Sequence, residues 1–255
     1  MTTQESIKLL IKNSKALWLA YDQGMEHGTI DFNEDNIDPK YILDIAVSGY
    51  YSGVIVGRGI AEKYYQDEKY KGKVPLIIKV NGKTRFHRDD PISSQLCTVD
   101  EAKALGAVAV GYTVYVGAPS EHIMMREFAR LVSEAHEKGL AVVGWMYPRG
   151  KLVGELTPEI IAYAARVGME VGADFVKVSY PKSLKNMEWT VKAAGRTHVM
   201  IAGGDASEEA EFLKMTKTVI DSGATGLAVG RNVWQAKNPV EISKKLNEIV
   251  FGSGV

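Results

Sequence analysis

The chain has 255 residues, 45% of them hydrophobic and 24% charged, with Lys+Arg and Asp+Glu equal at 31 each. That length supports a sizeable core, and the balanced charge without any Lys/Arg block excludes a general phosphate-backbone binder, so no nucleic-acid partner is expected and any anion site must be local. Cys97 is the single cysteine, which excludes an internal disulfide and a multi-cysteine metal cluster.

The opening segment, "MTTQESIKLLIKNSK", is amphipathic and carries charges throughout. It has neither the apolar region of a signal peptide nor a span of about 20 apolar residues, so a cytoplasmic protein with no membrane partner is expected. Short apolar runs then recur. They are "ALWLAYD" (16–22), "GVIVGRG" (53–59), "VPLIIKVNG" (74–82), "AVAVGYTVYVG" (107–117), "LAVVGWMYPRG" (140–150), "ADFVKVSYP" (173–181), "HVMIAGGD" (198–205) and "TGLAVGRN" (225–232). Between them lie segments of helical periodicity, many opening on Asp, Ser or Thr and closing on Gly, among them "DPKYILDIAVSGY", "SEHIMMREFARLVSEAHEKG" and "TPEIIAYAARVGMEVG". The segment after the second run, "IAEKYYQDEKYKGK", is less regular and reads as a short helix plus a loop.

Runs apolar on both faces suit parallel strands covered by helices. Eight of them alternating with helices over this length predict an α/β protein, a (β/α)8 TIM barrel. A doubly wound open sheet is the alternative, but its first strand should run into a GxGxxG turn, and here it runs into "DQGMEHG". No Pro/Gly/Ser-rich linker divides the chain, so residues 1–255 are expected to form one domain. The polar stretch 82–96 is expected to lie over one end of the barrel.

In such barrels the chemistry sits at the carboxyl ends of the strands. The first run ends in Asp22, followed by Gln23, Glu26 and His27. The third delivers Lys79 and Asn81, the fifth Trp145, Tyr147 and Arg149, and the sixth Lys177; the last two end in "AGGD" and "VGRN". Side chains alternate along a strand, so Lys177 shares a face with Phe175 and Ser179 while Val176 and Val178 face the helices. Trp145, Tyr147 and Arg149 likewise share a face. One lumen can therefore receive an amine, a phenol and a carboxylate together.

A lysine in an apolar strand has its ammonium form destabilised by desolvation, which frees the amine for Schiff-base formation with a carbonyl substrate. Tyr147 or Asp22 would move the protons. The glycine-rich turns after the last two strands suit a phosphate, held by backbone N–H groups of Ala202, Gly203, Gly204 and Gly230 with Arg231 adding charge. Lys177 could instead be an ion-paired interior lysine, and Lys79 is the rival for the reactive amine, although the polar loop after it should solvate it. The histidines, His27, His87, His122, His136 and His198, are scattered without ligand spacing, so no metal and no cofactor are expected. Together these residues imply a Schiff-base aldolase acting on a phosphorylated ketose.

The segments "LAYDQGMEHG", "RGIAEKYY", "VNGKT", "GAVAVGYTVY", "YPRG", "GADFVKVSY" and "GLAVGRNVWQ", in order from Ala16 to Gln235, resemble the archaeal-type class I fructose-1,6-bisphosphate aldolases. The resemblance implies a metal-free barrel that splits fructose 1,6-bisphosphate into dihydroxyacetone phosphate and glyceraldehyde 3-phosphate. By position it implies Lys177 as the Schiff-base lysine, Tyr147 as the proton donor, Asp22 as the active-site aspartate with His27 nearby, Trp145 lining the site and Arg149 as a partner for the second phosphate. It further implies a homo-oligomer. Two residues depart from the pattern: Ala202 stands where relatives often carry Ser, and Gln23 where many carry His. The alternatives are a related Schiff-base aldolase or transaldolase on another ketose phosphate, a non-catalytic barrel that binds a phosphorylated metabolite, and a metal-dependent aldolase.

Overall fold

The computed structural model describes residues 1–87 and 91–252. Each of the eight apolar runs contributes one strand: β1 Ala16–Tyr21, β2 Gly53–Gly57, β3 Leu76–Lys79, β4 Ala107–Val116, β5 Ala141–Pro148, β6 Phe175–Val178, β7 His198–Ala202 and β8 Gly226–Val229. All neighbours pair in parallel, β1 lies between β8 and β2, and the sheet closes on itself as a (β/α)8 barrel. Closure excludes the open, doubly wound sheet. The strands read as apolar on both faces because both faces are covered. One face fills the lumen with Trp18, Ile55, Ile77, Val143, Phe175 and Met200, Trp18 meeting the Phe175 ring edge-on at 5.0 Å. The other, which includes Leu17, Leu19, Val54, Val176 and Val178, packs beneath the helices.

The helices start where local chemistry caps them. Asp38 accepts from the Lys40 amide ahead of Pro39–Ala46, and Thr157 and Ser183 cap Pro158–Val171 and Leu184–Ala193. Thr98 and Glu101 form a reciprocal capping box at Val99–Ala104, each side chain satisfying a backbone donor that has no helical partner. The irregular segment after β2 is one turn, Arg58–Ile60, followed by a wide π turn, Ala61–Tyr65. In the polar stretch 82–96, residues 88–90 lie outside the described residues; its ends tie down in a short antiparallel pairing of Asn81–Gly82 with Ser94–Gln95.

The two ends of the barrel differ. The amino end is closed by the helix Thr3–Leu10, whose Ile7 and Leu10 join the lumen cluster. Trp18 Nε1 donates to the Leu10 carbonyl at 3.1 Å and Ser6 Oγ to the Gly139 carbonyl at 2.6 Å. Open space and polar side chains are therefore left to the carboxyl end. Among the described residues no helix is long and apolar enough to cross a membrane.

Candidate active site

Alternation on β6 turns Phe175 and Lys177 into the lumen. Lys177 is 5% exposed, and its Nζ sits 5.0 Å from the centroid of the Trp145 ring, the residue in register with it on β5. Among the described residues no hydrogen bond or ion pair ends on that nitrogen. Burial therefore pulls the Lys177 pKa below its ordinary value; Asp22 works against this, and the charge of Lys79 works with it. The indole has room because β4 carries Gly111 opposite. A Cβ there would lie 1.8 Å from Trp145 Cζ3, far inside van der Waals contact. The buried Trp145 Nε1 has no partner among the described residues.

Lys79, at the end of β3, behaves in the opposite way. The expected solvation by the following loop does not occur: the residue is 9% exposed. Its Nζ donates to Glu26 Oε1 and lies 3.6 Å from Asp22 Oδ2. Burial opposes the Lys79 charge, but the two carboxylates outweigh it and raise its pKa. Glu26 feels the same burial, yet the neighbouring ammonium holds its carboxyl below the usual range; the Tyr115 hydroxyl donates to its other oxygen at 2.8 Å. Of the two lysines on the wall of this cavity, Lys79 is ion-paired and Lys177, among the described residues, is not. Asn81 is not a site residue. Its side chain donates to the Ser93 and Thr113 carbonyls and accepts from the Thr113 amide, bracing the ribbon against β4.

Asp22, Tyr147 and Lys177 line one cavity of about 310 Å³ at the carboxyl end, together with Gln23, His27, Trp145 and Arg149. Lys79 and Glu26 belong to the same wall. The Tyr147 hydroxyl has no hydrogen bond among the described residues, and burial, reinforced by the charge of Asp22, raises its pKa, so the phenol keeps its proton at neutral pH. Gln23 contributes a buried Nε2 without a partner among the described residues.

The turns after β7 and β8 form the far wall, where Ala202, Gly203, Gly204, Gly230 and Arg231 line the cavity. The Gly203 amide is not available to a ligand, since it donates to the Ala228 carbonyl at 3.0 Å. The amides of Gly204 (φ +73°) and Gly230 carry no hydrogen bond among the described residues, a conformation at Gly204 that glycine adopts without strain. Arg231 is steered by Asp205 at 2.7 Å and Asp31 at 3.5 Å, and Asp31 also accepts from His27 Nδ1 at 2.7 Å. Asn232 holds the turn itself, donating to the Gly203 and Asp205 carbonyls and accepting from the Ser207 amide, each at 2.9 Å.

A second cavity of about 390 Å³ opens beside the first and shares Glu26, His27 and Arg149 with it. Lys83 and Arg85 add two further cations to its lining. The Arg149 guanidinium lies over the rings of Tyr115 and Tyr147 at 5.7 and 5.8 Å. Among the described residues no group of three or more His, Cys, Asp and Glu side chains could hold a metal ion. Cys97 is buried on the helix-facing side, its thiol pushed up to about 11 by burial and then by Glu101.

Tyr115, Lys83 and Arg85 are contributions that the sequence reading did not assign to the site, and Glu26 and Asn232 appear in it at the strand ends without a role. Glu26 could have been suspected from a second carboxylate one helical turn after Asp22; the others depend on contacts distant in sequence. A model of the DeoC/LacD family aldolases matches residues 16–236. The chain is 45% identical to a class 1 fructose-bisphosphate aldolase of Thermoproteus tenax, over 98% of this chain and 95% of that one. It is 42% identical to a class 1 fructose-bisphosphate aldolase of Halobacterium salinarum, over 94% and 92% of the two chains. It superposes with a TM-score of 0.92, at 44% identity and over 98% of this chain and 100% of the other, on an archaeal fructose-1,6-bisphosphate aldolase whose catalytic Lys is covalently bound to the carbinolamine intermediate of the substrate.

Proposed function

The chain belongs to the DeoC/LacD family of aldolases, and we propose that its reaction runs on Lys177 as the Schiff-base amine, Tyr147 as the proton donor and Asp22 as the proton acceptor. It is a class I fructose-1,6-bisphosphate aldolase, a lyase that reversibly splits the ketose into dihydroxyacetone phosphate and glyceraldehyde 3-phosphate, a step of glycolysis and gluconeogenesis. The observation that carries the residue assignment is the contrast between Lys79 and Lys177, the buried lysines that line the central cavity. Lys79 is tied to carboxylates and stays an ammonium ion, whereas Lys177 has no counter-ion among the described residues and sits against an indole.

Lys177 attacks the substrate ketone at C2 with its lone pair. Tyr147, still protonated, gives its proton to the carbinolamine oxygen, which leaves as water and forms the iminium. The iminium draws electrons from the C3–C4 bond as Asp22 removes the C4 hydroxyl proton, releasing glyceraldehyde 3-phosphate and an enamine. The proton taken up by Asp22 passes to C3 of the enamine, and water hydrolyses the resulting iminium, giving its spare proton back to Tyr147, returning the amine and freeing dihydroxyacetone phosphate. Positioned proton transfers of this kind contribute roughly 10²–10⁴-fold each.

Two anion-binding ends flanking one amine fit a substrate with a phosphate at each terminus. The first phosphate falls to the turns after β7 and β8, through the Gly204 and Gly230 amides and Arg231. Gly203, whose amide is already occupied, contributes shape, and Ala202 offers no hydroxyl. The second falls to Arg149, with Lys83 and Arg85 beside it and His27 between the two cavities. Gln23 and Trp145 bring buried N–H donors suited to substrate hydroxyls. No cofactor enters these steps. The same reading includes a cytoplasmic enzyme and a homo-oligomer; exposed Tyr163, Leu184 and Trp189 on two adjoining helices support self-association.

Incubation with fructose 1,6-bisphosphate in the presence of EDTA, followed as triose phosphate release, tests the reading. Release by the parent protein and its loss in Lys177→Ala are expected. A folded parent that releases none, while turning over a transaldol donor, contradicts the substrate.

A further inference from the structure

The ion pair around Lys79 is expensive to build. Three charged groups, Lys79, Asp22 and Glu26, share one wall with side chains between 7% and 13% exposed. Desolvating such a set commonly costs more than its mutual attraction returns, and apolar replacements are often as stable or more so. Stability alone therefore does not account for it.

Its position does. The groups whose charge reaches Lys177 are Asp22 and Glu26 from the segment after β1, and Lys79 from β3; Tyr147 on β5 stays neutral. Two carboxylates at the cavity wall would, without a partner of their own, favour a proton on Lys177 and draw its amine into an ion pair. An ammonium ion has no lone pair and cannot attack a ketone. Lys79 occupies those carboxylates first, and Tyr115 completes the coordination of Glu26.

We propose that Lys79 is a positioning residue for the reaction at Lys177: by binding Glu26 and Asp22 it fixes both carboxylates away from the reactive amine and sets a permanent positive charge against it. The proposal rests on Lys177 being the Schiff-base residue. Lys79 does not touch substrate in this scheme and forms no covalent bond. It separates the task of neutralising the wall from the task of attacking the carbonyl, so the Asp22 carboxylate faces the cavity without capturing the nucleophile.

The test is the pH dependence of borohydride trapping of dihydroxyacetone phosphate at Lys177, in the parent, Lys79→Met and Lys79→Arg. In the parent, trapping at Lys177 checks the underlying reading, and its failure there would overturn that reading rather than this one. In Lys79→Met the acid limb is expected to move upward by about one pH unit or more, the size of effect a neighbouring charge exerts. Trapping near neutral pH falls roughly tenfold and recovers at higher pH. Lys79→Arg keeps the charge and is expected to retain the parental limb. Should Lys79→Met not fold, the paired variant Lys79→Met with Glu26→Gln removes one stranded carboxylate and is expected to show a smaller upward shift, from the freed Asp22. A folded Lys79→Met or paired variant whose profile overlies the parent's, whatever its melting temperature, overturns the proposal.

Discussion

Lys177 and Tyr147 show how far one side chain can be read from its neighbours in sequence. Lys177 stands between two valines in a buried strand, and alternation alone places it in the lumen. Its lowered proton affinity is the less obvious property, because it depends on what does not pair with it. Glu26 meets Lys79 across 53 positions of sequence, a contact that no periodicity encodes, and the expectation of a solvated Lys79 failed for that reason. The reactive amine leaves a thermodynamic trace. With its folded-state pKa below the ordinary 10.5, the unfolded chain binds the extra proton, so this residue costs native stability at neutral pH and the cost vanishes as pH rises toward 10.5. Lys177→Met is expected to abolish trapping yet melt higher than the parent near pH 7 by about 2–4 °C, the shift ~1 kcal/mol produces in a chain of this size. That advantage narrows on approach to pH 10.5. Differential scanning calorimetry across this range checks the sign.

The strands and helices were legible because the physics that forms them is local. Eight runs apolar on both faces can only be strands with cover on both sides, and Thr98, Thr157 and Ser183 announce helix starts by supplying donors' partners. What escaped depends on side chains meeting across elements. Asn81 looked like a cavity residue by its place after β3, but the Thr113 and Ser93 backbone groups claim it. Lys83 and Arg85 stand in a polar stretch without periodicity, so nothing in the sequence aimed them at the second cavity. Gly111 on β4 is a further case: its meaning appears only once the Trp145 indole is seen to fill the space a side chain would need. Gly111→Ala is expected to destabilise by about 3 kcal/mol, at the upper end for overpacking, and to push the indole from beneath Lys177, lowering trapping. Denaturant unfolding and borohydride reduction measure the two effects; a variant with parental stability and trapping contradicts the placement of the ring.

Across the whole molecule the two ends of the barrel divide the labour. Ile7 and Leu10 close the amino end with apolar contacts, and the carboxyl end collects the charges. A chain with no net charge gathers cations locally, Arg149 and Arg231 on the first cavity and Lys83 and Arg85 with Arg149 on the second, and the proposed bisphosphate site uses that local charge. The division of labour between the two cavity lysines turns on which of them carries the carbonyl. Sodium borohydride reduction in the presence of dihydroxyacetone phosphate, followed by peptide mass mapping, decides it. The adduct is expected on the peptide that contains Lys177, with Lys79 unmodified; a label on Lys79 would contradict the account.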